Sequence, residues 1–206
     1  MSAPSVDTLR EACLSLSGRD PALAAAYAKV DLPNWRATEA SYASLARIVV
    51  YQLISTKAAD AIWGRIQARL GTVTAQAVLE DDQEALRACG LSRPKLGHLN
   101  AIAAAVLDKR LDFHALSNAP IETARKTLLS IRGIGPWTAD TFLMNALGHL
   151  DAFPSGDVGL IEAYRQLSGA DQRLSAKAFS EHAETWRPWR AVAAHLLYDW
   201  YNLTRN

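Results

Sequence analysis

The residues of this chain that could do chemistry gather in two places. In SIRGIGPWTAD (Ser130–Asp140) two glycines, two positions apart, are followed at once by a proline and a tryptophan. Asp157 stands 22 residues beyond the second glycine, in DAFPSGDVGLIEAYRQL. Gly133 can take a positive φ that a side chain would disfavour, and Gly135 has no Cβ to keep another molecule from its backbone amide. Pro136 suits the first turn of a helix, where a missing N–H leaves nothing unsatisfied. The implied geometry is helix, tight hairpin, helix, with amides pointing outward at the second helix's N-terminus. Such amides form an anion site, and phosphate is its natural occupant.

Each of these residues also has a plainer reading. The glycines would equally serve a simple corner between helices. Trp137 is either a core ring or the wall of a pocket. Asp157, or Ser155 just before it, would cap the helix that its apolar periodicity starts. No strand precedes the glycines, and neither G-x-G-x-x-G nor G-x-x-x-x-G-K-[ST] is matched, which argues against a nucleoside triphosphate.

The elements that must position these residues read as helices throughout. Apolar residues recur at helical spacing, with no two-residue alternation and no Asn-Gly hairpin signal, so the expected fold is all-α. The pattern predicts helices near 21–30, 39–54, 57–70, 74–88, 93–108, 120–130, 136–147, 158–168, 175–185 and 189–203. Gly71 and Gly90 sit where a left-handed cap would stop a helix, and Ser92 followed by Pro94 fits an N-cap and first turn. After the hairpin, Ala139, Phe142, Leu143, Ala146 and Leu147 form one stripe for the core. Trp137, Thr141 and Met144 fall on the other face, so that helix is either buried on both sides or lines a cavity with its second side.

Composition sets the outer limits. The 206 residues are 50% apolar, enough for a sizeable core, and carry a formal charge of +1, so a nucleic-acid site would have to be local. Cys13 and Cys89 lie 76 positions apart with no Cys-x-x-Cys, which argues against structural zinc, an iron–sulfur cluster and a disulfide framework. His98, His114, His149, His182 and His195 show no metal-ligand spacing. No basic start leads into a long apolar run, so no membrane association and a cytoplasmic location are expected.

Taken together, a helix-Gly-x-Gly-helix, a Trp two residues after the second Gly and an Asp in a Gly/Pro…Asp loop resemble the helix-hairpin-helix DNA glycosylase superfamily. Pro154, Gly156 and Asp157 supply that loop here. VVYQLISTKAADAIWGRI (49–66) looks like the family's Gln-x-x-Ser helix junction, and AETWRPWRAVAAHLLYDWY (183–201) is similar to the C-terminal helix of the alkylbase (3-methyladenine) branch. The resemblance covers most of residues 40–203. It implies a two-lobed helical fold over residues 1–206, with the hairpin at about 120–147 and the active site in a cleft between lobes.

The resemblance also implies roles. The amides of Gly133, Gly135 and Thr138 would grip a phosphate of double-stranded DNA, which explains how so neutral a chain can bind it. Leu53, beside Gln52, would be the wedge that fills the gap left by a flipped nucleotide. Trp137 and Trp200, with Tyr201 and Thr141, would form a base pocket whose indoles attract a cationic alkylated purine by roughly 0.5–2 kcal/mol each. Asp157 would stabilise the positive charge that develops on the sugar. Bifunctional members carry a lysine where Trp137 stands, so an enzyme without lyase activity is expected, leaving an abasic site in base excision repair.

No cofactor is required, although the carbonyls of Leu129, Ile131 and Ile134 match a place where the superfamily binds Na+ or K+. The chain is expected to act as a monomer, nucleoid-associated if bacterial. The family's β-rich N-terminal domain would be missing or reduced, since only about 40 residues precede the first matched segment, and Gly156 and Thr141 replace acidic and aromatic residues found in relatives. A glycosylase for a neutral lesion (uracil, hypoxanthine or an oxidised purine) and a non-catalytic DNA-binding module are the alternatives.

Overall fold

Short polar residues punctuate this chain, and nearly every helix starts on one of them. The computed structural model describes residues 3–205; among them are thirteen α-helices, a short 3-10 turn at Glu184–Trp186 and no strand, which meets the all-α expectation. The helices are α1 (Val6–Ser17), α2 (Pro21–Val30), α3 (Tyr42–Tyr51), α4 (Thr56–Leu70), α5 (Ala75–Glu80), α6 (Gln83–Ala88), α7 (Arg93–Leu107), α8 (Phe113–Asn118), α9 (Ile121–Leu129), α10 (Pro136–Asn145), α11 (Val158–Ser168), α12 (Ala176–Ala183) and α13 (Arg190–Arg205). Side chains of Ser5, Asp20, Ser41, Ser55, Thr74, Asp82, Ser92, Asp112, Asp157 and Ser175 accept from amides of the helices they precede. Each such cap contributes about 1 kcal/mol.

Two expected helices change, for local reasons. The helix read over 74–88 is two, because Asp82 accepts from the amides of Glu84 (2.9 Å) and Ala85 (3.3 Å) and restarts the chain as α6. The helix read over 39–54 ends at Tyr51, since Gln52 and Leu53 leave helical geometry. Helices α1 and α8 were not anticipated; α8 has only six residues, too few to display a period. Gly71 (φ 66°) and Gly90 (φ 108°) do stop helices, and Ser92 caps α7 with Pro94 in its first turn.

The chain divides into two compact units. One comprises the residues up to Ala37 together with those from Leu143 on. In it α2 and α11 pack on α13, whose Ala191–Leu197 segment is wholly buried. Beside that core an aromatic cluster of Phe153, Tyr164, Phe179 and Trp186 surrounds Asp20. One Asp20 oxygen accepts from Trp186 Nε1 (2.9 Å) and from the Tyr164 hydroxyl (3.2 Å), while the other caps α2.

The other unit is Thr38–Phe142. Here α3 and α5 pack on α7, burying Leu45, Val49, Val78, Leu99 and Ile102. Cys13 and Cys89, one in each unit, are buried free thiols. Among the described residues no helix is long and apolar enough to cross a membrane, and no three His, Cys, Asp or Glu side chains gather in a metal-binding group.

Candidate functional site

The hairpin belongs to the Thr38–Phe142 unit, and its candidate binding groups are mainly backbone. Helix α9 ends at Leu129; Ile131 N–H bonds Leu128 O (3.1 Å), Ile134 N–H bonds Ile131 O (3.1 Å), and Gly133 takes φ 94° between them. That conformation alone favours glycine, and a Cβ there would overlap His98 Cβ and Cγ. Around Gly135 a Cβ would meet nothing, so its amide lies open. Among the described residues none accepts a backbone hydrogen bond from the amides of Gly133, Gly135 or Thr138, as an anion site at a helix N-terminus requires. Arg125 on α9 forks onto Asp140 on α10 (2.6 and 3.0 Å) and ties the hairpin's two arms together.

The turn between α3 and α4 is fastened to this hairpin. Gln52 Nε2 donates to Thr138 Oγ1 (2.7 Å) and to Gly133 O (3.4 Å). Beside the expected wedge, Gln52 thus ties the turn to the hairpin. Lys95 Nζ donates to Val50 O and Gln52 O, both at 2.7 Å, placing a cation at the negative end of α3; partial burial holds its pKa below the usual lysine value. Leu53 follows at φ 58° and fully exposed (102%), an unusual state for a branched apolar side chain. Ser55 then caps α4.

On α10, Ala139, Phe142, Leu143, Ala146 and Leu147 are buried as the stripe implied, but so are Thr141 and Met144. The helix is thus buried on both sides beyond its first turn. Trp137 in that turn is half-buried, and Thr141 Oγ1 finds no partner among the described residues.

A second group of candidate residues, around the Asp157 carboxylate, belongs to the other unit and is made of side chains. Asp157 does cap α11, its Oδ1 accepting from Leu160 N–H at 3.0 Å, so that reading and the functional one coexist. Its Oδ2 accepts from the Tyr198 hydroxyl at 2.9 Å. Burial, then the charge of Asp157, push the Tyr198 phenol well above the usual tyrosine range, so Tyr198 is the donor. Arg36 lies 5.3 Å over the Tyr198 ring and bonds Asp199 Oδ1 (2.5 Å) and His195 Nδ1 (3.2 Å). His195 is fully buried and held neutral, its pKa pushed down to about 3 by burial and by Arg36.

Spacing did not single out Tyr198, Arg36 or Asp199. The face of α13 that reaches Asp157 carries Tyr198. Trp200, two residues on, points about 200° away around a 3.6-residue helix. Tyr201 lies nearer that face, but its ring is covered by Arg205 at 5.0 Å. On α13 the side chain bonded to the carboxylate is Tyr198, which the resemblance does not single out.

Known proteins resemble this chain in sequence and in fold. Residues 46–188 match the model of the HhH-GPD superfamily of base excision DNA repair proteins. A probable bifunctional transcriptional activator/DNA repair enzyme AlkA of Mycobacterium tuberculosis is 34% identical over 94% of this chain, which spans only 40% of that relative's length. A DNA-3-methyladenine glycosylase 1 of Schizosaccharomyces pombe is 30% identical over 76% of this chain and 71% of its own. The structure of the 3-methyladenine DNA glycosylase Mag1 of S. pombe in complex with abasic DNA superimposes with a TM-score of 0.82, at 28% identity, over 91% of this chain and 95% of that one.

Proposed function

Because this chain belongs to the HhH-GPD superfamily of base excision DNA repair proteins, we propose that it is a monofunctional DNA glycosylase that flips alkylated bases of the 3-methyladenine and 7-methylguanine type out of double-stranded DNA. It excises them hydrolytically and leaves an abasic site. The observation that carries this reading is the Asp157 carboxylate, fixed by two donors at the start of α11. A carboxylate held in place before the reaction stabilises positive charge on the sugar at no cost of reorganisation as the base departs. Alkylation makes the base a cation that leaves as a neutral molecule, so little acid catalysis is required. The names of the relatives point to the same chemistry.

The remaining residues supply grip and specificity. The amides of Gly133, Gly135 and Thr138 take a backbone phosphate, and Leu53, projecting into solvent, fills the gap in the stack. Trp137 offers an indole to a cationic base, and its presence in place of a lysine leaves no amine to form a Schiff base with the sugar. The reaction needs no cofactor and no iron–sulfur cluster. Neutral carbonyls of Leu129, Ile131 and Ile134 are donors of the kind a Na+ or K+ accepts, although Ile131 O already receives Ile134 N–H. We take the acting species to be a monomer on DNA.

The test is release of 3-methyladenine and 7-methylguanine from alkylated DNA by wild type and Asp157→Asn. Full activity in the variant overturns the mechanism, and strand cleavage without added alkali overturns the monofunctional assignment. One observation favours a second reading, in which the substrate is a neutral lesion such as hypoxanthine, uracil or an oxidised purine. The ring beside Asp157 already carries a cation, Arg36, which would repel a second one. Competition between lesion-containing duplexes separates the two.

A further inference from the structure

Asp157 is held from a second side by an assembly that the proposed reaction does not yet use. The Tyr198 hydroxyl donates to Asp157 Oδ2 at 2.9 Å, and the direction of that phenol is itself fixed. Arg36 lies 5.3 Å over the ring; it is bonded to Asp199 Oδ1 at 2.5 Å and to His195 Nδ1 at 3.2 Å. Asp199 Oδ2 in turn accepts the amide of Asn34 at 2.6 Å, and Trp35 stacks on His195 at 4.3 Å. Burying one tyrosine requires none of this; holding a phenol at a fixed angle to a carboxylate does.

We propose that Tyr198 is a positioning residue for excision: its hydroxyl holds the Asp157 carboxylate aimed, and Arg36, braced by Asp199 and His195, fixes the ring that carries that hydroxyl. The role of Asp157 in the reaction rests on the reading above. A carboxylate that meets developing positive charge is most useful when its direction is set beforehand, and a donated hydrogen bond sets it without reorganisation. The donor does not lose its own proton, because burial and the charge of Asp157 both oppose ionisation of the phenol.

The charges acting on Tyr198 are Asp157 from the start of α11 and Arg36 from the segment before α3. Asp199 and His195 on α13 act on Arg36. The other elements packed on α13, namely α1, α2 and the 3-10 turn, add no charge to Tyr198 among the described residues. With one ring face given to Arg36, Tyr198 serves the carboxylate rather than the choice of base.

Tyr198→Phe removes the hydroxyl and keeps the ring under Arg36. In the full chain, single-turnover release of 7-methylguanine should slow about tenfold, while affinity for the same duplex, melting temperature and the order of preference among lesions stay near those of wild type. Placing 3-fluorotyrosine at position 198 keeps both the packing and the donor, so release should return close to the wild-type rate. Should release be unmoved by Tyr198→Phe, or stay slow with 3-fluorotyrosine in place, the proposal is overturned. Asp157→Asn, assayed alongside, keeps the two ideas apart. If it excises as fast as wild type, the catalytic assignment fails, while a crystal structure of Tyr198→Phe still decides whether Tyr198 holds the carboxylate: an Asp157 side chain unmoved there overturns the positioning.

Discussion

The hairpin and the carboxylate assembly do opposite things with their polar groups. At the hairpin, Gly133 and Leu53 sit at φ 94° and 58°, and the amides of Gly133, Gly135 and Thr138 have no backbone acceptor among the described residues. Around Asp157, by contrast, the partners are in place: Tyr198 donates to Asp157, Arg36 to Asp199 and His195, and the backbone amide of Asn34 to Asp199. A phosphate grip is made of donors left unpaired and held by backbone shape. A charge stabiliser is made of an acceptor whose donors are already in place. The first keeps unsatisfied groups for the ligand; the second satisfies its groups early so that nothing has to reorganise during the reaction.

If this division is right, damage to each region should show in a different measurement. The largest effect is expected for Asp157→Asn, which should slow base release on the order of a thousandfold, as loss of a preorganised electrostatic group does. Asparagine caps a helix about as well as aspartate, so the melting temperature should stay near that of wild type. A large fall in melting temperature with little change in release would make Asp157 a cap and nothing more. Gly133→Ala should act the other way. The left-handed backbone and the overlap with His98 should remove roughly 2–3 kcal/mol of stability, read by urea unfolding, and weaken binding to any duplex regardless of lesion.

The same contrast explains what could be read from the residues alone. The hairpin was legible because backbone requirements leave marks in sequence: Gly133 for its φ, Gly135 for its open amide, Pro136 for the first turn. Helices α2 and α11 were found at their ends because Asp20 with Pro21, and Asp157 with Gly169, punctuate them. The carboxylate assembly was not legible. It draws on residues 34–36, 157 and 195–199, which only tertiary packing brings together, and a half-buried tyrosine on an apolar helix looks like the edge of a core. The role of Tyr198 leaves no mark, because a motif fixes a neighbourhood whereas a helix turns about 100° per residue. Nothing in Gln-x-x-Ser reveals that the Gln52 amide reaches Thr138.

A third test concerns acidity and should touch the carboxylate unit alone. His195 has its pKa depressed to about 3 in the folded state, against an ordinary histidine in the unfolded chain. Between about pH 6.5 and 3 the unfolded state therefore binds the extra proton. The contribution of His195 is fully present above that window and is lost as pH falls through it. Chemical unfolding across this range should show stability dropping with acidity, and His195→Gln should flatten the slope. An unchanged slope would mean that the imidazole is not held neutral, and the brace on Arg36 would need another account.

The smallest effect, and the sharpest for the comparison, belongs to Leu53. A leucine fully exposed at φ 58° buries nothing and stores backbone strain of about 1 kcal/mol, so Leu53→Gly should raise stability by roughly that amount. Selection for stability alone would not keep it. If the side chain replaces a flipped base in the stack, Leu53→Gly should at the same time slow excision from an intact duplex by about tenfold, the scale of a few lost apolar contacts. Excision from a lesion already unpaired by an opposing abasic site should change far less, because there the stack is already open. A variant both more stable and slower, with the deficit confined to paired duplex, would place Leu53 with the hairpin's open donors as a group left unsatisfied for DNA. A variant slower on both substrates would instead mean that the α3–α4 turn positions Gln52 and the hairpin behind it. In that case the strain at Leu53 would serve to support the grip rather than to open the stack.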